Sequence, residues 1–132
     1  LYLSAITVRE LEFGAHSMAK GKRRDQLQDR ITRLLENEFS GRVLAFDKEA
    51  ALAYGRTVPL ARSAGRAVME ADGMIAAIAI ANECAIATRD TSPFKAMGVA
   101  VVINPWTGER WKRRDEPNAK KTDGAYSYVL AT

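Results

Sequence analysis

Residues 74–103 decide the fold. Met74-Ile75-Ala76-Ala77-Ile78-Ala79-Ile80-Ala81 is apolar on nearly every side of a helix. Ala85-Ile86-Ala87-Thr88 follows after a short break, and Val99-Ala100-Val101-Val102-Ile103 comes next, stopped by Asn104-Pro105. A helix that is hydrophobic all round is covered on several faces. Strands that are continuously apolar, rather than alternating, suit a parallel sheet covered on both sides. The alternation of strand and helix predicts an α/β fold.

Upstream, the pattern repeats. Leu1-Tyr2-Leu3-Ser4-Ala5-Ile6 reads as the inside of a strand. Thr7-Val8-Arg9-Glu10 then matches a capping box, with Thr7 as cap and Glu10 reaching back. Val8, Leu11, Ala15, Met18 and Ala19 recur at helical spacing. After the basic, glycine-interrupted segment Lys20-Gly21-Lys22-Arg23-Arg24, Asp25 can open a second helix with Leu27, Ile31, Leu34 and Leu35 on one face. Arg42–Phe46 reads as a short strand, and Asp47 as the cap of a third helix that Pro59 should kink or interrupt. Gly65 breaks the pattern, and the apolar helix begins near Ala71-Asp72. Beyond Pro105 the composition turns polar, with a basic cluster at Arg110, Lys112, Arg113 and Arg114. The expected division is therefore a domain over residues 1–106 and a basic, weakly ordered tail over 107–132.

Composition narrows the chemistry. The chain has 132 residues, 47% apolar and 27% charged, with a net charge of +4. These values fit one soluble domain and exclude collagen-like, coiled-coil and fully disordered chains. One cysteine, Cys84, and one histidine, His16, rule out an intramolecular disulfide, cysteine zinc sites, HExxH sites and multi-histidine cages. A Ser-His-Asp triad would have to use His16. A metal site must be built from Asp and Glu oxygens, which favours Mg²⁺ or Mn²⁺. No apolar run reaches the roughly 20 residues of a membrane span, and no signal peptide is visible.

Three acidic residues stand where such a site could form. Glu10 lies in the first turn after a strand, Asp72 at the start of the apolar helix, and Asp90 just past a buried strand. Strand C-termini and the helix N-termini that follow them gather at one edge of a parallel sheet, where ligands bind. Carboxylates converging there would repel one another unless a cation neutralised them. Each also has a plainer reading: Glu10 completes a capping box, Asp72 complements a helix dipole, and Asp90 serves the turn Arg89-Asp90-Thr91-Ser92-Pro93.

The motifs around these residues resemble those of PIN-domain proteins. Ser4-Ala5-Ile6-Thr7-Val8-Arg9-Glu10-Leu11 looks like their "SAITVAEL" segment, Ala71-Asp72-Gly73-Met74-Ile75-Ala76-Ala77 like "AADGxIAA", and Ala87-Thr88-Arg89-Asp90-Thr91 like "ATRDT". Asn104-Pro105-Trp106 is similar to the "NPW" that closes the domain in the VapC/FitB-like toxin branch. The resemblance implies a three-layer α/β/α domain with a central parallel sheet, acting as a cytoplasmic metal-dependent endoribonuclease of a toxin–antitoxin pair. It implies that Glu10, Asp72 and Asp90 hold one or two Mg²⁺ or Mn²⁺ ions, and that Thr91 places a supporting hydroxyl nearby. It implies an antitoxin laid over the acidic pocket, with an Arg or Lys neutralising it, and a homodimer formed through helices.

The basic run Lys20, Lys22, Arg23 and Arg24 is a candidate contact for RNA phosphates, with a solvated loop as the alternative. The tail cluster around Trp111 mixes an aromatic with Arg and Lys, as single-strand binders do, with a disordered solubilising tail as the alternative. The resemblance also breaks at the front. The family's first strand carries an Asp-Thr-Asn motif whose Asp is the first active-site carboxylate, and it lies between the Leu1–Ala5 and Ala85–Thr88 strands. This chain has no such segment, so the domain is expected to be N-terminally truncated, with unpaired backbone flanking an empty slot. That departure keeps a catalytically inactive binding module as the alternative function, with the Met74–Ala81 helix as its dimer or partner interface. A DNA-binding regulator is a third class, but no helix-turn-helix is visible.

Overall fold

The computed structural model describes residues 1–114 and 126–131. The elements run β1 (Tyr2–Ser4), α1 (Ala5–Ser17), α2 (Lys22–Arg33, continued by a π-helical turn, Leu34–Glu38), β2 (Val43–Leu44) and α3 (Lys48–Ser63). They continue with α4 (Glu70–Ala81), β3 (Ala85–Thr88), α5 (Ser92–Lys95), β4 (Val101–Ile103), β5 (Arg110–Lys112) and β6 (Tyr128–Ala131). One six-stranded sheet has the order β2-β1-β6-β3-β4-β5, parallel except for the antiparallel β5 edge. The α/β reading with a mostly parallel central sheet holds.

The empty slot does not. β6 lies between β1 and β3, parallel to both, with Leu3 opposite Leu130 and Ile86 opposite Val129. A gap there would leave two rows of backbone donors and acceptors unpaired inside the domain. Val129, fully buried, completes the ladder instead. The division at residue 106 fails for the same reason, because Arg110–Lys112 and Tyr128–Ala131 are strands of the sheet. Polarity hid them: β5 is a half-exposed edge, and β6 follows a polar stretch. The rest of the expected tail, 115–125 and 132, lies outside the described residues.

The main core lies on one face of the sheet. Ile86, Val102 and Val129 stand side by side in register and meet Ile75, Ile78 and Ala79 of α4, with Val58 and Ala61 of α3 beyond. On the other face Ala85 and Val101 are covered by Ile103, Tyr126 and Tyr128. The run Ile75–Ala79 is buried within its own domain, which removes the Met74–Ala81 helix as a free interface.

Two local expectations shift. α1 starts two residues before the expected cap. Buried Ser4 is the N-cap, accepting from the Thr7 amide at 3.1 Å, so Glu10 is released from capping. α3 is capped by Asp47 as expected, through the Ala50 amide at 3.0 Å, but runs on through Pro59. The proline ring crowds the carbonyl four residues back. That residue is exposed Gly55, where tilting toward solvent costs little.

Candidate active site at the carboxyl edge of the sheet

The carboxyl ends of β1, β3 and β6 bring the predicted residues to one edge. Ser4 ends β1 and caps α1, and its hydroxyl shares a 3.2 Å hydrogen bond with the Thr7 hydroxyl. Glu10, one turn on from Thr7, projects from the same face of α1. α4 packs closely on α3, because Gly73 leaves room that a side chain would crowd. A Cβ there would lie 3.0 Å from both Tyr54 and Val58. Asp72 sits beside this glycine in the first turn of α4. Thr7, Glu10, Ala71, Asp72, Ile75 and Ala131 line one pocket.

Asp90 lines the adjoining pocket, with Gly65, Arg66 and Ser92. The two pockets communicate electrostatically. The Asp72 carboxyl titrates above its ordinary value of 3.8, first through burial, then through the negative charges of Asp90 and Glu10. A first-turn position should favour ionisation, so burial and like charge outweigh it. The three carboxylates therefore share an edge without forming a closed cage. Glu10 is paired with Arg9 at 3.0 Å, Asp90 accepts from the Ser92 amide at 3.4 Å, and among the described residues no three His, Cys, Asp or Glu are grouped closely enough to hold a metal ion.

Thr91 lies beside the site, but its hydroxyl donates to Glu109 at 2.7 Å. Lys95 reaches the other Glu109 oxygen at 2.9 Å, and these contacts hold the Glu109 carboxyl below the usual range. Nothing in the sequence signals Glu109, which follows the expected boundary at 106. Asn104 was legible only as part of a motif. It is buried and bonds the Arg89 carbonyl and the Trp106 and Thr107 amides.

The basic run sits apart, at the α1–α2 elbow. Lys20 and Arg24 line a shallow depression with Gly21, Asp25 and Gln28, while Lys22 and Arg23 are exposed. Arg24 donates to His16 at 3.1 Å, and His16 also meets Glu12 at 3.2 Å. Cys84 is buried and burial pushes its thiol up, as befits a small core residue. No helix among the described residues is long and apolar enough to cross a membrane.

Comparison with known proteins gives a consistent picture. A family model described as the PIN domain matches residues 1–100. The chain is 48% identical over 106 residues to VapC ribonuclease Y4jK of Sinorhizobium fredii, covering 80% of this chain and 75% of that protein. It is 50% identical over 106 residues to plasmid stability protein StbB of Pseudomonas syringae pv. tomato, covering 80% and 76%. Among solved structures, FitAB bound to an IR36 DNA fragment superposes with a TM-score of 0.73 at 41% identity, covering 80% of this chain and 73% of that one.

Proposed function

Since the chain belongs to the PIN domain family, with relatives of the VapC/FitB kind, we propose that it is the endoribonuclease toxin of a toxin–antitoxin pair, hydrolysing RNA phosphodiesters at Glu10, Asp72 and Asp90. The observation that carries this reading is the gathering of carboxylates at one edge: Glu10 and Asp72 line one pocket, and the Asp72 carboxyl is raised first by burial and then by the negative charges of Asp90 and Glu10. An anionic edge of this kind is stabilised by a divalent cation, and the three, open and apart as they stand, are the residues that would close on Mg²⁺ or Mn²⁺. When bound, the ion supplies an activated water and neutralises charge on the leaving oxygen. The chain's own residues orient the carboxylates: Ser4 and Thr7 fix the start of α1, Gly73 lets α4 close on α3, and Glu109 ties down Thr91 next to Asp90.

The partners proposed with this activity are RNA, an antitoxin over the acidic pocket, and a second copy of the chain. Exposed Phe13, Leu52, Leu60 and Met69 offer apolar surface for protein contacts. Lys20, Lys22, Arg23 and Arg24 are proposed contacts for RNA phosphates. One observation favours the second reading, a catalytically inactive module: Ala131, not an acid, lines the pocket at the end of β6.

The deciding experiment incubates the protein with structured RNA and Mg²⁺ or Mn²⁺, beside Asp72→Asn and Asp90→Asn. Metal-dependent cleavage lost in both variants supports the nuclease. Cleavage that survives both, or needs no metal, overturns it.

A further inference from the structure

Next to the carboxylates the strand ends carry a second construction. The Arg89 guanidinium lies 4.4 Å from the centroid of the Trp106 ring, within cation–π range. Trp106 is nonetheless 54% exposed, unusual for the side chain with most to gain from burial. The pair is not loose. Asn104, 7% exposed, donates from Nδ2 to the Arg89 carbonyl at 3.0 Å and accepts at Oδ1 from the amides of Trp106 at 2.9 Å and Thr107 at 3.2 Å. One buried amide therefore locks the backbone under both side chains. Beyond them the Asn104 amide bonds the Glu109 carbonyl at 2.8 Å, closing the turn. Among the described residues Arg89 forms no ion pair, so its planar fork of donors is uncommitted to a carboxylate.

We infer that Arg89 and Trp106 form a stacking platform for an unpaired base of single-stranded RNA, beside the carboxylates. The inference rests on the nuclease reading above. Arg89 follows the carboxyl end of β3 and Trp106 lies just past that of β4, its parallel neighbour, so the pair stands at the same edge of the sheet as Asp90 and a base held there keeps the RNA strand along that edge. An exposed indole with a cation against it offers what single-strand binders use: a flat π surface and a nearby positive charge for the backbone. A protein partner would need a broader apolar patch, whereas Thr107, Gly108 and Glu109 beside the ring are small or polar and exposed.

The test uses the full chain and an unpaired RNA octamer of adenylate and uridylate. With Trp111→Phe leaving Trp106 as the reporter, the octamer should quench fluorescence in EDTA, and the same octamer in a duplex should bind about tenfold more weakly. In Mn²⁺, Trp106→Ala should raise KM for single-stranded RNA about tenfold, with the loss on KM rather than kcat, and Trp106→Phe should restore most of it. Quenching without any cleavage by the wild-type chain would defeat the nuclease reading while supporting the platform. Cleavage with unchanged KM in Trp106→Ala and no quenching would overturn the platform and leave the nuclease standing. Lost binding of an antitoxin in Trp106→Ala, with RNA kinetics unchanged, would also overturn it.

Discussion

Ala131 is the register partner of Thr88 at the carboxyl ends of β6 and β3, and it lines the same pocket as Glu10 and Asp72. The last strand in the chain thus stands at the centre of the sheet and closes the floor of the acidic site with a methyl group. Thr88 is buried beside it, its hydroxyl accepting from the Asp90 amide at 3.3 Å, which shapes the turn that carries Asp90. Sheet completion and site construction are one event at this edge.

Asp72 is predicted to trade stability for function. Its folded carboxyl titrates above 3.8, so the folded chain holds the proton more tightly than the unfolded chain. The resulting penalty is absent below pH 3.8, grows as pH rises, and is complete above the folded value. Asp72→Asn should therefore melt at a higher temperature than wild type at pH 7 in EDTA, with the difference vanishing near pH 3. The same variant should lose RNA cleavage by about a hundredfold or more. Melting curves at the two pH values check the first claim and a cleavage assay the second. An unchanged melting temperature at pH 7 would mean that neither burial nor the neighbouring carboxylates burden the ionised Asp72.

Much of this was legible in the sequence, and the limits have physical causes. The apolar helix around Ile78 and the strands at Ile86 and Val102 announce themselves, because burial on every side demands continuous hydrophobicity. Asp47 was legible as a cap because its environment is local. The Ser4 cap was missed because Ser and Thr three residues apart both satisfy the capping pattern, and only the packing of β1 chooses. β6, Tyr128–Ala131, is as long as β3, but it follows a polar stretch and lies far in sequence from the strands it joins, so the pattern does not announce its place. Its stability comes from two neighbours far away in sequence. The acidic residues are legible through their motifs, but their separation into two pockets depends on partners such as the Arg9 guanidinium and the Ser92 backbone amide, which periodicity cannot reveal.

Two glycines should respond in opposite directions to alanine. Gly14 lies inside α1 with nothing within 4 Å of an added Cβ, so Gly14→Ala should stabilise by about 0.5–1 kcal/mol. At Gly73 the methyl would press on Val58, which is buried and stiff at its branched carbon, and on the Tyr54 ring edge. Overpacking of about 1–3 kcal/mol outweighs the helical gain of about 1 kcal/mol. Gly73→Ala should be less stable and, because Asp72 is its neighbour, less active. Urea melts of both variants decide it, and equal behaviour would show that α3 and α4 do not pack as closely as described.

β6 makes a sharp test of the sheet. Val129 is fully buried between β1 and β3, so Val129→Asp places an unpaired charge in the core and should cost about 4 kcal/mol or more. Exposed Arg114, changed to Ala, should stay within about 0.5 kcal/mol of wild type. Thermal denaturation followed by circular dichroism compares them. If Val129→Asp folds as well as Arg114→Ala, the strand is dispensable and residues after 106 lie outside the domain.

Ala131→Asp converts the floor of the pocket into a fourth carboxylate. Ala131 is buried, and the new charge would face Glu10 and Asp72, already crowded enough to raise the latter. In EDTA the variant should therefore melt below wild type. A divalent cation relieves that repulsion, and each added carboxylate strengthens its hold on oxygen-seeking ions. Mn²⁺ should bind the variant about tenfold more tightly by calorimetry and raise its melting temperature by more than it raises that of wild type. The same change discriminates between the two functional readings. A nuclease whose site is short of one ligand should cut RNA faster at low Mn²⁺ once the aspartate is supplied, whereas an inactive module should gain nothing. A variant destabilised in EDTA and untouched by Mn²⁺ would show that this pocket, for all its negative charge, is not built to receive a cation.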